Sequence, residues 1–339
     1  YHHGEMSLNN AIVGMAQEFV GSNNINMLMP NGQFGTRLQG GKDSASERYI
    51  YTLLNPLTSS LFIDNDQYVL DYLDDDGTMV EPEFYAPVIP MILVNGCKGI
   101  GTGFSTDVLS YNPLDLVQYL KRKLSTLNTS GIELSPYYEG FTGKIVKLGE
   151  NRYLIKGNYE IIKVDIIRVT ELPIGVWTED FKTNLEKLME TTDKKGKKIK
   201  PVVKDYNDMS TDTQVDFTIH LHAGMMNKLE GKLLPTYNNE CNDLEKHLKM
   251  VVTKTTSNMH LFDSKQRMRK YAKVEDIIES YYPVRLEMFH KRKEYLIAKL
   301  RREVMILHNK ARFIEEQCED KIDLRRKKAD AVSALLESD

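Results

Sequence analysis

Cysteine is scarce in this chain. Three occur in 339 residues, Cys97, Cys241 and Cys318, far apart and never as a CxxC pair. A disulfide framework and a cysteine-held zinc site are thereby excluded, and reduced thiols are the reading that remains. No apolar run reaches the length of a membrane span, and no secretory leader opens the chain. An excess of one charge is also missing: 45 Lys and Arg stand against 48 Asp and Glu, a net charge of −3. Nothing in that balance draws the chain to nucleic acid, so a DNA partner would have to be held by local clusters of Lys and Arg. No internal repeat is visible.

What is present is enough apolar material, 41% of residues, for a packed core. The length is too great for one ordinary domain and predicts two or three. The opening Tyr1, rather than Met, leads us to expect a larger polypeptide, of which this would be a later part.

Residues 5–20 place Leu8, Ile12, Met15 and Phe19 at helical spacing, and the run Gly21-Ser22-Asn23-Asn24 ends the pattern. A glycine-rich stretch follows, from Pro30 to Lys42, before an apolar pattern returns over 49–62. Short helices, a turn and glycine-rich hairpins over about a hundred residues suit a small winged-helix domain. The apolar run Val88 to Val94, within a Pro- and Gly-dense segment, predicts a buried strand with tight turns. Residues 113–125 predict a helix with Pro113 as its first residue. From Gly140 to Thr170 the alternating words KIVKL, RYLIK and KVDIIRV predict strands, and a helix over 178–190 and a strand over 213–221 continue the α/β pattern. The lysine-rich segment 193–204 reads as a solvated hairpin or, more sharply, as a basic arm on DNA. Over 284–317, Leu286, Phe289, Leu296, Leu300, Val304, Leu307, Ala311 and Ile314 keep a 3-4 spacing with charges between them. That predicts a long coiled-coil-like helix, roughly 50 Å in reach, as a structural arm.

One constellation carries chemistry: Gly40-Gly41-Lys42-Asp43-Ser44-Ala45-Ser46-Glu47-Arg48-Tyr49. Glycines let a backbone approach a phosphate closely. Lys42 and Arg48 supply charge, and Ser44 and Ser46 supply hydroxyls. By composition this is an anion-binding loop, and a Tyr beside an Arg is most often structural. The chemistry open to such a pair is nonetheless definite. A phenol with a pKa near 10 is only about 0.1% ionised at neutral pH. Attack on a phosphodiester needs that proton removed and the growing negative charge held, and a guanidinium can fork onto two phosphate oxygens. No carboxylate metal motif stands near Tyr49 in the sequence, so any metal ligands are expected elsewhere.

Several long words resemble the eukaryotic-type topoisomerase II family, the type IIA DNA topoisomerases. YHHGEMSL at 1–8, FVGSNNIN at 19–26, NGQFGTRLQGGKDSASERYIYT at 31–52 and EPEFYAPVIPMILVNGCKGIGTGFS at 81–105 resemble its winged-helix domain. ELPIGVWTEDF at 171–181 resembles its tower, and TTSNMHLFD at 255–263 with the 284–317 helix resembles the later tower and the coiled-coil arm. The resemblance implies an α+β fold: a winged-helix domain over 1–125, a mixed α/β tower over 126–275, and the start of a coiled-coil arm over 276–339. It implies that Tyr49 attacks DNA to form a 5′-phosphotyrosyl link, with Arg48 stabilising the transition state. Ile100 matches the residue that wedges between base pairs and bends DNA. Tyr1, Ser7 and Trp177 match DNA-contacting positions, and His3, with His2, lies in a motif facing the scissile phosphate. Lys42 joins them as a DNA-binding candidate from the glycine-rich loop. The resemblance also implies double-stranded DNA as partner, a homodimer, and ATP and Mg²⁺ bound by ATPase and toprim domains outside these 339 residues. No residue of this chain is expected to hold the metal.

Some positions depart from the family's words. Glu47 stands where relatives commonly have Pro, and Cys97 and Lys98 replace other residues in the wedge loop. His-His-Gly-Glu separates the chain from the bacterial gyrase pattern, and the divergent tower suggests a viral or protist version. The expected place of action is intracellular, at sites of DNA replication: the nucleus for a cellular enzyme, the host cytoplasm for a cytoplasmic virus. Two other readings stay open on the residues alone, a DNA-binding module without catalysis and a structural scaffold of wing and arm.

Overall fold

A computed structural model describes residues 4–125, 131–192, 200–322 and 327–338. The expected α+β class is what folds, with helices and antiparallel sheets in alternation. Two compact units divide the chain: residues 1–64 with 84–285, and residues 65–83 with 286–339.

The larger unit opens with α1 (Glu5–Ala16), four residues shorter at its end than its apolar spacing predicts. Side chains explain the stop. The Asn23 amide donates to the carbonyls of Gly14 and Gln17, closing the end of the helix, and Gln17 is drawn off to bond Phe34 and Gly41. After α2 (Pro56–Leu61) comes the run Val88–Val94, which is not a strand. Pro87 and Pro90 each lack the N–H a ladder needs, and Pro90 instead starts the single turn α3 (Met91–Val94), which buries Leu93 and Val94. The ribbon β3 (Cys97–Gly101) and β4 (Phe104–Val108) follows, once β1 (Tyr72–Asp75) and β2 (Thr78–Pro82) are counted in the smaller unit. α4 (Pro113–Leu124) begins as read, with Pro113 in its first turn and the Asn112 side chain accepting from the Leu114 N–H.

Two sheets make up the middle of the chain. The first joins β5 (Lys144–Gly149), β6 (Arg152–Lys156) and β11 (Val251–Thr255) in the order 11-6-5. The second runs 7-8-10-9, from β7 (Asn158–Lys163), β8 (Ile166–Glu171), β9 (Val203–Asp208) and β10 (Phe217–Leu221). The word KVDIIRV is therefore split between two strands. Asp165 takes a left-handed turn at φ 59°, and its carboxylate accepts from the Gly224 and Met226 amides, which holds its pKa below the usual carboxylate value. Strand β10 begins four residues later than predicted, because Thr211 to Gln214 form a turn closed by the Thr211 hydroxyl.

Alternation then sets the core. Ile167 and Val169 of β8, and Phe217, Ile219 and Leu221 of β10, point to one face. Phe181 and Leu185 of α5 (Thr178–Met189) are buried in the same cluster, Phe181 edge-on to Phe217 at 5.1 Å. Each such side chain contributes about 1.5–3 kcal/mol on burial. The short helices α6 (Met225–Glu230) and α7 (Asp243–His247) close that cluster with Met225, Met226, Leu229 and Leu244. A second core gathers Leu93, Val94, Val108, Tyr111 and Leu116 with Met259, Tyr271 and Ile278. Met259 and Tyr271 belong to the hairpin β12 (Met259–Phe262) and β13 (Met268–Tyr271).

α8 (Val274–Cys318) starts ten residues before the predicted coiled-coil pattern and carries Pro283 inside it. Proline costs a helix one hydrogen bond. Here the turn around it is held from outside, by Tyr281 donating to the Pro87 carbonyl and Arg285 to that of Ala86. In the smaller unit, Arg292 pairs with Asp66 at 2.9 Å and Tyr295 stacks on Tyr68 at 4.9 Å. The helix then runs out with Leu300, Val304, Leu307 and Ile314 exposed, before α9 (Ala329–Ser338).

Candidate nucleic-acid cleavage site

Tyr49 ends a loop whose base is pinned by strand-like contacts. Asn31 and Tyr51 exchange backbone hydrogen bonds at 3.1 and 3.0 Å, and Met29 donates to Leu53. Between these ties the chain makes two kinds of structure.

The first, from Gly35 to Asp43, is locked. Thr36 gives its N–H and hydroxyl to the Asp43 carboxylate, turning that charge inward. Gly35, Gly40 and Gly41 all have positive φ, and a Cβ on Gly40 would stand 2.2 Å from the indole of Trp177. A Cβ on Gly41 would stand 2.4 Å from the Gln17 amide. Glycine is thus required here for close approach as well as for turn geometry. Arg37 is 7% exposed and forms an ion pair with Glu171, itself 2% exposed. The other Glu171 oxygen accepts from the Thr142 N–H and hydroxyl. The first amides of α5 complete the clamp: Thr178 donates to the Arg37 carbonyl and Glu179 to that of Leu38.

The second part, Glu47–Tyr49, is a single 3₁₀ turn with no buried residue. Tyr49 is 71% exposed, and the guanidinium carbon of Arg48 lies 5.8 Å from its ring centroid. Among the described residues Arg48 has no ion pair. Lys42 is exposed at the junction of the two parts. Two cations and a phenol therefore face solvent from a frame held rigid behind them. The one opposing charge is Glu47, whose carboxylate accepts weakly from Ser46 at 3.4 Å.

The remaining candidates are placed as follows. Ile100 is 94% exposed, on β3, between Gly99 and Gly101 and paired across the ribbon with Ser105. Cys97, at the base of the same strand, has its thiol pKa raised by burial and then by Asp107. Ser7 is exposed on α1. Trp177 is half-buried: its ring lies against Gly40 and Gly21 and meets Phe19 edge-on at 5.7 Å. The indole thus has a packing duty beside any other. Tyr1, His2, His3 and residues 193–199 of the lysine-rich segment lie outside the described residues. Among the described residues no group of three His, Cys, Asp or Glu side chains is placed to hold a metal ion. No helix there is long and apolar enough to cross a membrane.

Sequence reasoning missed the supports. Asp43 and Gln17 act through local geometry that spacing does not report. Glu171 did leave a signal, since it takes a core-facing place in the alternation Ile167, Val169, Glu171, and a buried carboxylate calls for a cation.

Comparison with known proteins bears on the whole chain. The family model for the A-type subunit of DNA gyrase/topoisomerase IV matches residues 1–339. DNA topoisomerase 2 top-2 of Caenorhabditis elegans is 44% identical over 99% of this chain and 21% of its own length. DNA topoisomerase 2 of Arabidopsis thaliana is 45% identical over 99% of this chain and 22% of its own. That of Acanthamoeba polyphaga mimivirus is 37% identical, over 99% and 30%. The chain thus spans about a fifth to a third of the length of these relatives. The crystal structure of the Plasmodium falciparum topoisomerase II DNA-binding, cleavage and re-ligation domain superposes with a TM-score of 0.90 at 40% identity, covering 100% of this chain and 44% of that one. A family match from end to end, with that agreement in fold, establishes that this chain belongs to the type IIA DNA topoisomerases and corresponds to their breakage-reunion region.

Proposed function

We propose that this chain breaks and rejoins DNA, with the Tyr49 oxygen attacking a backbone phosphodiester to give a 5′-phosphotyrosyl link. The single observation that carries this reading is the exposed Arg48–Tyr49 turn on a clamped loop. The phenol loses its proton as the O–P bond forms, and the 3′-oxygen of the cut strand leaves. Arg48 takes up charge on the phosphate oxygens, where a fixed donor is worth most. Reversal reseals the strand, because the phosphotyrosyl bond keeps the energy of the bond it replaced. Lys42, Ser7, Tyr1, His3 and Trp177 contact the DNA, and Ile100 wedges a base step. The winged helix covers 1–125, the tower 126–275 and the arm begins at 276.

In the longer protein, two such chains form a homodimer that cuts both strands of one duplex and passes another through. Mg²⁺ and ATP are bound outside these 339 residues; when bound, the metal polarises phosphate oxygens. The protein acts inside the cell where DNA is replicated.

The test is a denaturing gel of the full-length protein with supercoiled DNA, followed by mass spectrometry of the nuclease-trimmed adduct. A DNA remnant on Tyr49 is expected, and one on any other residue overturns the assignment. The purified 1–339 chain should bind DNA in a salt-sensitive way and form no adduct in Mg²⁺. Efficient cleavage by it alone would relocate the metal site. Salt-sensitive binding with no adduct from the full-length protein would leave a DNA-binding module instead.

A further inference from the structure

The ribbon that presents Ile100 cannot stand by itself. It is two strands of five residues that, among the described residues, form a sheet only with each other, and an isolated two-stranded hairpin is marginal in water. Three glycines, 99, 101 and 103, weaken it further at the end where Ile100 projects. A wedge that unstacks bases must bear the cost of that unstacking, so something has to hold β4 in place.

That support comes from the edge of β12. Asp107 donates its N–H to the Asn258 carbonyl at 2.8 Å. The Asn258 side-chain amide donates to the Ser105 hydroxyl at 2.9 Å. His260 Nδ1 lies 3.1 Å from the Ser105 carbonyl oxygen and 3.0 Å from Asn258 Oδ1. Both of those oxygens can only accept, so Nδ1 carries the proton and donates. Ser105, Asn258 and His260 thus close a ring of hydrogen bonds on the residue that pairs with Ile100 across the ribbon. Phe262 adds a ring edge-on to Phe104 at 6.2 Å. Phe104 in turn fills the space a side chain at Gly101 would need, 2.6 Å from where its Cβ would be. The hairpin is rooted in the core through Met259 and Tyr271, paired at the end beside Asn258.

We infer that Asn258 and His260, assisted by Phe262, are positioning residues for the DNA wedge: they tie the Ile100 ribbon to the core, so that the force of bending is borne there rather than by the ribbon. This rests on the proposed role of Ile100 as the wedge. The brace acts on the bend and not on the phosphate contacts, so its loss separates bending from binding.

The experiment measures the bend of a doubly labelled duplex by FRET on the full-length protein, with affinity titrated in parallel. For Asn258→Ala and His260→Ala the ratio of bent to unbent complex should fall about fivefold or more, about fivefold being the factor that one net hydrogen bond converts to. Affinity should change far less. His260→Asn, whose amide can donate from nearly the place of Nδ1, should restore much of the bend. Ser105→Ala removes only the hydroxyl and supplies a mild variant should the others melt early. The Ile100→Ala protein is the reference arm. If it bends less while the Asn258, His260 and Ser105 variants bend as wild type, the brace is refuted and the wedge stands. If Ile100→Ala leaves the bend unchanged, the wedge reading fails and the brace fails with it. A parallel loss of bend and affinity in the brace variants, unrescued by His260→Asn, would make these residues structural only and overturn the proposal.

Discussion

Arg37 and Arg48 lie in one loop and are treated in opposite ways. Arg37 is shut away at 7% exposure against Glu171, with the Thr178 amide of α5 donating to its carbonyl. Arg48 stands in solvent beside an exposed phenol, in a turn that buries nothing. Desolvating a guanidinium is costly, and only a well-placed carboxylate offsets it. The first arginine therefore fixes the loop's shape, while the second is left free to meet a charge that arrives from outside. Mutations should separate these duties cleanly: changes in the turn should cost activity, changes in the clamp should cost stability.

The largest effect is expected from Tyr49→Phe. It removes one oxygen from an exposed ring, so the melting temperature and duplex affinity should hold while the covalent adduct disappears from denaturing gels. An adduct formed by this variant would sink the assignment. Arg48→Lys comes next. Charge is kept but the two-pronged donor is lost, and single-turnover cleavage should drop about 10²–10³-fold. A rate within tenfold of wild type would argue against the role. Glu171→Gln tests the clamp: it leaves the Arg37 charge buried without its partner and should lower unfolding free energy by about 3 kcal/mol, read by denaturant titration. Protein that stays folded should still cleave. Stability unchanged in that titration would show the pair to be dispensable. The smallest effect belongs to Glu47→Gln. Taking the one negative charge out of the turn should raise cleavage a few-fold at low salt and less at high salt, by screening. A rise that ignores salt would need another cause.

Much of this was legible in the sequence, for reasons that can be stated. Helix starts carry their own labels: Asn112-Pro113 marks α4 by a side-chain acceptor and a fixed φ. Alternation in FTIHL marks a strand by which face must leave water, while RYLIK, the middle strand of its sheet, buries three residues in a row. Arg48 and Tyr49 are neighbours in the chain, and their pairing needs no fold. What escaped was decided at a distance. Arg37 and Glu171 belong to different segments, and neither spacing nor propensity links them. The run Val88–Val94 has the composition of a strand, yet Pro87 before it and Pro90 within it gave it a helical turn instead. The 3-4 pattern starts the long helix at 284, yet the helix begins ten residues earlier and runs through Pro283, held there by bonds from Tyr281 and Arg285 to a distant segment. His260 sits in a strand-like word and gains its meaning only from Ser105, which no local pattern reveals.

Gly40 and Trp177 have a consequence for how such a chain can evolve. Any side chain at 40 would strike the indole ring, so the pair behaves as one inherited character rather than two. A lineage can shrink Trp177 first and live with the gap, but it cannot enlarge Gly40 first. Substitution there has an order, and even after Trp177 has gone the positive φ of 65° at position 40 still taxes every residue except glycine. The loop beside Tyr49 can therefore drift in the exposed turn while its glycine corner stays where it was set.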